Sequence, residues 1–436
     1  MTGFESFCVI VDPYVNTQYL INQFKKNHIQ CIAVLSEPIS PEMKKNRLPV
    51  EVEQQFYAVQ TLADGEDTLV QYLKNFNLIG IVNGSDMGVE LTDRLGFSLK
   101  LPNTNQPEHS LARRNKYSTN QVIQKHNIPC TTQILLDQHL LDKIGSDDSI
   151  LNGSIDRAET VLSYPLVLKP TQSRGTFGVR ICYHTKDLRA AIVDIVGAKD
   201  VYGQRVSELV IEELLIGKEY AIDTISLHGQ HYIAGIYLYE KEIINGKPIY
   251  RDMTLIDSSS EEVTIITGYV HDILTAVDFN YGAAHIEVFL TDAGPKLVEI
   301  NPRISGAFGF ANQLCKKLTG RDQIEMLVES YVNPNSSLGK YSSNYIKTGY
   351  GKVVMLQNFK EGILSHYSGL QKVQQLPSFC DIVLPLRPGE IIRKTTDFCT
   401  CPGVVLLINQ SLEQLNFDFQ RLVMIEKAEL FCVKSL

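Results

Sequence analysis

The stretch that decides the fold is His285-Ile286-Glu287-Val288-Phe289-Leu290, a turn over Thr291–Pro295, and then Lys296-Leu297-Val298-Glu299-Ile300-Asn301-Pro302-Arg303. Two runs alternating apolar and polar residues around a Gly-containing turn predict a β-hairpin. With the loop centred on Ala293, Glu287 falls opposite Glu299 and His285 opposite Asn301, and side chains two apart share a face. Facing carboxylates repel unless something neutralises them. A hard divalent cation does so naturally, since Mg²⁺ takes carboxylate and amide oxygens and keeps positions open for phosphates. A solvated charged face is the competing reading, and a register slip would undo the pairing. Ile286, Val288, Val298 and Ile300 alternate with the polar residues and predict a buried opposite face.

Upstream, Tyr164-Pro165-Leu166-Val167-Leu168-Lys169-Pro170 runs into Ser173-Arg174-Gly175-Thr176-Phe177-Gly178-Val179. A lysine closing a buried strand is costly unless its ammonium meets an anion. A loop of glycines and hydroxyls can turn backbone N–H groups toward a phosphate, although no Walker-type G-K-[ST] follows. The third element, Val210-Ile211-Glu212-Glu213-Leu214-Leu215-Ile216-Gly217-Lys218-Glu219-Tyr220-Ala221-Ile222-Asp223, reads by itself only as strand, turn and strand.

Around these, short apolar runs (Phe7–Val11, Cys31–Leu35, Leu78–Val82) alternate with amphipathic segments, the pattern of βαβ units on a parallel sheet. Ligands bind at the carboxyl ends of such strands, which draws attention to Asn83-Gly84-Ser85-Asp86. No G-x-G-x-x-G follows a strand, so a dinucleotide site is not supported. Leu101–His109 reads as a linker, 111–126 as a helix, and Asp137–Asp156 as a polar surface insertion. Strands are expected at Leu166–Lys169, Val179–Tyr183, Leu209–Glu213, Glu219–Leu227 and His231–Tyr239. Two helices are expected within Ala311–Val332, and turns with short strands over the last hundred residues.

Hydrophobic residues make up 44% and charged residues 21% of the 436, the balance of an ordinary globular chain. No apolar stretch approaches the roughly 20 residues of a spanning helix. The start of the chain does not resemble a targeting segment, so the expected location is the cytoplasm. A net charge of −8 without a basic block argues against nucleic acid or an anionic membrane as partner. Most of the nine cysteines read as reduced core residues. Cys399 and Cys401 lack the second ligand pair that a zinc site needs.

In this order, and with Lys116 in Arg113-Arg114-Asn115-Lys116-Tyr117, the motifs resemble the ATP-grasp superfamily, and within it the bacilysin-synthetase type of L-amino acid ligase. The resemblance runs from Asn83 to Ala307 and more weakly to the C-terminus. It implies a mixed α/β and α+β chain: a Rossmann-like parallel-sheet domain (1–105), a linker helix and mobile lid (106–206), an antiparallel-sheet lobe with the Mg²⁺ site (207–335) and a C-terminal subdomain (336–436). It implies ATP and two Mg²⁺ as cofactors. Small carboxylate and amine substrates, expected to be amino acids, would be joined through an acyl phosphate with release of ADP and phosphate. A homodimer is compatible with it. Carboxylases and nucleotide-biosynthesis ligases acting on bicarbonate or formate form the alternative.

Carried onto this chain, the resemblance assigns Lys116 and Lys169 to the ATP phosphates, and Ser173, Gly175, Thr176 and Gly178 to the lid loop. Glu212, Glu213 and Leu215 fall at the adenine hinge and Glu219 at the ribose. Glu287, Glu299 and Asn301 match metal ligands. Arg303 matches the carboxylate-holding arginine, with backbone N–H groups near Gly306 helping to stabilise an oxyanion. The bacilysin-type ligases carry a Glu and a His in the segment that here reads Tyr250–Asp257 without a histidine. The acidic residues Asp252 and Asp257, with Asp86 and His285, are the substrate candidates in this chain. Read this way, the acidic segment would favour a cationic amine, and Glu299→Gln would relieve repulsion and raise stability in the absence of metal.

Overall fold

The computed structural model describes residues 6–37, 48–144, 147–173, 176–199, 203–244, 247–333, 338–342 and 344–435. They form two units, both discontinuous in sequence: Met1–Pro129 with Tyr220–Tyr237 and Ile256–Lys347, and Cys130–Glu219 with Leu238–Leu255 and Thr348–Leu436.

In the first unit the strands Ala58–Thr61, Ile29–Leu35, Ser6–Val11 and Leu78–Asn83 lie side by side in that order, all parallel. Cys8 and Ile10 pack into one apolar cluster and Val9 and Val11 into another. The sheet is therefore covered on both faces, which is why its strands read as unbroken apolar runs. The short edge strand Ala58–Thr61 escapes sequence reading because it is partly exposed and carries no such run. An antiparallel sheet completes this unit, with Gly294–Asn301, Gly282–Thr291, Lys218–Leu227 and the strand that starts at Gln230 in that order. The helix Gln323–Val332 is fixed to the parallel sheet by Tyr331, whose hydroxyl donates to Ile81 O at 2.8 Å. Gly80 is required there, since a Cβ would lie 2.3 Å from the Tyr331 ring.

The expected linker is a docked segment: Asn105 Oδ1 accepts the backbone N–H groups of Asn280 and Tyr281 at 2.8 and 2.9 Å. The expected helix begins as a 3₁₀ turn, Leu111–Arg113. The α-helix proper is Lys116–Lys125, capped by Asn115 Oδ1 accepting from Tyr117 and Ser118 N–H. The cap fixes Lys116 as the first helical residue.

In the second unit the strands Gln133–Leu136, Leu209–Glu213, Leu166–Pro170 and Arg180–Cys182 form an antiparallel sheet in that order. The segment read as a surface insertion is instead two helices, Gln138–Ile144 and Asp148–Val161. Leu141, Ile144, Leu151 and Ile155 enter the core of this sheet, and the polar residues that suggested a loop are the helices' outer faces. Lys247–Leu255, Tyr350–Met355, Val404–Asn409 and Phe379–Val383 form further strands. The helix Leu412–Ile425, absent from the sequence reading, covers them with Leu415, Leu422 and Ile425. Cys401 Sγ points at Leu356 O and Gly403 O, and burial pushes its thiol up to about 12, so it is structural. No helix among the described residues is long and apolar enough to cross a membrane.

One packing detail sets a pH response. His231 Nδ1 lies 2.8 Å from Ser226 Oγ and its Nε2 3.3 Å from Thr275 Oγ1. Burial, and then His271, lower the imidazole to about 4. The folded value is depressed below the ordinary 6.5, so this contribution to stability is complete above about pH 6.5 and is lost as pH falls toward about 4. The melting temperature is expected to fall over that window, less steeply in His231→Gln; identical slopes would refute the assignment.

Candidate active site

The hairpin adopts the expected pairing, His285 with Asn301 and Glu287 with Glu299, by a route that the sequence does not show. Its turn is tighter than expected, Thr291 pairing with Gly294 across Asp292 and Ala293. This would misalign the acids by one residue, but a bulge between Glu287 and Val288 puts Val298 in the second strand as an extra residue, between the partners of Val288 and Glu287, and restores the register. In consequence Leu297, and not Val298, takes the buried apolar position.

His285, Glu287 and Asn301 are buried. Within the protein the facing carboxylates are neutralised from two sides. Lys116 Nζ lies 2.7 Å from Glu299 Oε2, which explains why the cap at Asn115 matters: it fixes where this lysine starts. On the other side His285 Nε2 lies 3.6 Å from Glu287 Oε1, and its Nδ1 lies 2.7 Å from Asp223 Oδ1. Burial by itself would lower the His285 imidazole, but hydrogen bonds to Asp223 and Glu287 and their charges raise it to about 9. His285 is thus the counter-charge and support of Glu287. Asn301 Nδ2 donates to Glu299 Oε1 at 3.1 Å.

Among the described residues no group of three or more His, Cys, Asp or Glu is arranged to hold a metal ion. The hairpin offers two carboxylates and one amide, and this donor set fits Mg²⁺, which uses one or two protein carboxylates and completes its shell with water and phosphate oxygens.

Arg303 follows the hairpin directly. Its Nε lies 2.8 Å from Asp86 Oδ1, and its Nη1 donates to Ile304 O at 3.0 Å. The loop bearing Asp86 is fixed by Asn83, whose Nδ2 donates to Pro302 O at 2.8 Å. Among the described residues neither buried Asp86 oxygen accepts a hydrogen bond, so the contact with Arg303 is an ion pair without hydrogen-bond geometry. The chain beyond is held by Asn16, whose Nδ2 donates to Ser305 O at 2.5 Å and Gly306 O at 3.0 Å. Ala307, Phe308 and Gly309 then take φ of 53°, 54° and 83°. Two successive non-glycine residues in the left-handed region are strained, and such strain gathers at functional sites.

In the second unit, Lys169 closes the strand Leu166–Pro170 and its Nζ lies 2.6 Å from Glu212 Oε1. Glu212 Oε2 accepts from Gln133 Nε2 at 2.7 Å and Thr131 Oγ1 at 3.3 Å. Glu213 accepts from Thr132 N–H at 3.3 Å, and Leu215 is half-buried. Glu219 is buried and lies 2.6 Å from Lys241 Nζ. In the expected lid loop, Ser173 Oγ donates to Phe177 O at 3.3 Å and Thr176 has φ 61°. Gly178 has φ 71° with the Pro170 ring 2.9 Å from where a Cβ would stand. Gly175 lies outside the described residues.

Two of the expected substrate residues are ion-paired within the protein. Asp252 is neutralised from within, Lys352 Nζ lying 2.6 Å from its Oδ1 and Thr254 Oγ1 donating at 3.2 Å. Asp257 is a half-exposed carboxylate 3.6 Å from Lys347 Nζ. Asp252 and Asp257 therefore each have a lysine as counter-charge, which weakens the argument from charge for a cationic substrate. Sequence reading also missed Asn16, Asp223, Gln133 and Lys241. Of these only Asp223, in the Glu219-Tyr220-Ala221-Ile222-Asp223 alternation, shares a strand with a residue that a motif singled out.

Comparison with known proteins agrees with this geometry. A family model described as an ATP-grasp domain matches residues 162–311. The chain is 27% identical over 416 residues to dapdiamide A synthase of Enterobacter agglomerans, covering 92% of each. Its fold matches the L-amino acid ligase of Bacillus licheniformis with TM-score 0.73 and 17% identity, over 99% of both chains. It also matches the biotin carboxylase domain of the Hydrogenobacter thermophilus 2-oxoglutarate carboxylase, solved with MgADP and bicarbonate, with TM-score 0.65 and 15% identity over 98% and 91%.

Proposed function

We propose that this chain, an ATP-grasp protein resembling the L-amino acid ligases, is an ATP-dependent ligase that converts a small carboxylate to its acyl phosphate and joins it to an amine. The observation that carries this is the Glu287–Glu299–Asn301 face, buried at Glu287 and Asn301, with Arg303 directly beyond it. A protein that only bound nucleotide would need that arginine for no more than its pairing with Asp86. The relatives named dapdiamide A synthase and L-amino acid ligase favour amide formation over carboxylation.

Phosphoryl transfer needs positioning and charge stabilisation more than a protein nucleophile. In this reading Lys116 and Lys169 would each bind ATP phosphates, and Ser173, Gly175, Thr176 and Gly178 would belong to the lid loop. Glu212, Glu213 and Leu215 receive adenine and Glu219 receives ribose. Glu287, Glu299 and Asn301 hold Mg²⁺, two ions in number, whose chemistry is to neutralise the transferring phosphoryl group. Lys116 would then exchange Glu299 for a phosphate. Arg303 holds the carboxylate and, with the N–H groups around Gly306, stabilises the oxyanion formed when the amine attacks. Asp86, whose buried oxygens accept no hydrogen bond among the described residues, suits the ammonium of an amino acid whose carboxylate sits on Arg303.

The test is the product set. Incubation with ATP, Mg²⁺ and pairs of amino acids is expected to release ADP and phosphate only when both substrates are present. AMP and pyrophosphate, or turnover with bicarbonate in place of the amino acid pair, would sink this reading.

A further inference from the structure

Glu219, at the start of the strand Lys218–Leu227, is surrounded by groups that no sequence motif carries. It is 5% exposed, and a carboxylate so buried needs a partner to remain ionised. The partner is Lys241, whose Nζ lies 2.6 Å from Glu219 Oε1. Lys241 is itself confined. Its ammonium stands 4.2 Å from the centroid of the Tyr250 ring and 5.8 Å from that of Tyr239. The two rings meet edge to face at 5.0 Å, and Tyr250 in turn meets Phe398 at 6.2 Å. Aromatic faces attract a desolvated ammonium and remove the rotamer freedom that a lysine normally keeps. A surface ion pair would have none of this enclosure, and it would hold neither partner in one geometry.

A carboxylate that accepts hydrogen bonds from sugar hydroxyls has to be ionised and fixed before the sugar arrives. We propose that Lys241, steadied by Tyr239 and Tyr250, is a positioning residue that holds Glu219 for the ribose hydroxyls of ATP. The inference rests on the reading of Glu219 as the ribose ligand.

The experiment compares ATP with 2′-deoxy-ATP and 3′-deoxy-ATP on the full chain, reading KM and kcat separately. Wild type is expected to discriminate against at least one deoxy analogue, and Glu219→Gln to abolish that preference. Lys241→Met should raise the KM for ATP more than it lowers kcat and shrink the preference about tenfold or more, the scale of one lost hydrogen bond to a charged group. Lys241→Arg should restore most of it. If wild type shows no preference, or Glu219→Gln keeps the wild-type one, the ribose reading fails and the role of Lys241 with it. If Glu219→Gln loses the preference and Lys241→Met retains it, Glu219 stands as ribose ligand and the inference about Lys241 is overturned. A lower melting temperature of Lys241→Met with an unchanged preference counts the same way, since it would make the ion pair purely structural.

Discussion

Glu299→Gln is expected to reduce ligation by roughly 10²–10³-fold or more, because in the proposed reading it removes one of the two carboxylates that would hold Mg²⁺ at the transferring phosphoryl group. Its effect on stability is expected to be the reverse of what the sequence suggests. With Glu287 directly opposite, deleting one charge reads as relief of repulsion. In the folded protein, however, Glu299 is the partner of Lys116, and the two side chains are only 16% and 8% exposed. The variant leaves a buried ammonium with a neutral amide, a loss of about 1–2 kcal/mol without metal or nucleotide. His285 already balances Glu287, so little repulsion remains to be relieved. Thermal unfolding without ligands should thus show a melting temperature lowered by a few degrees. Near wild-type turnover would remove Glu299 from the metal site, and a raised melting temperature would restore the repulsion argument.

Arg303→Met should cost roughly 10²–10³-fold in kcat, the scale of losing one preorganised group on a developing oxyanion. Arg303→Lys should recover little, since a point charge does not reproduce a planar fork. Stability falls as well, because Asp86 would keep its buried oxygens with neither a hydrogen bond nor a counter-charge. The double variant Arg303→Met, Asp86→Asn separates the two effects: it should regain most of the stability lost in Arg303→Met and none of the activity. Recovery of activity would mean that Arg303 serves only to neutralise Asp86, and the carboxylate-holding role would have to be given up.

The sequence by itself determined what depends on neighbours along the chain. The parallel strands were legible because burial on both faces leaves unbroken apolar runs. The pairing of Glu287 with Glu299 was legible because side chains on a strand alternate with period two and a short turn restricts the register to few choices. Lys169 stood out because a charge is rare at the end of an apolar run. The bulge at Val298, which makes that pairing hold around a tighter turn, leaves no mark in composition. Neither do the helices of Gln138–Val161, whose polar outer faces dominate the segment. What the tertiary structure alone decided is which charge meets which. Lys116 reaches Glu299, Lys352 reaches Asp252, Lys241 reaches Glu219, and Asn16 holds the carbonyls of Ser305 and Gly306. Each of these joins residues far apart in sequence, so its cause is the path of the backbone. A buried charge must find a partner, but the local sequence does not specify which one.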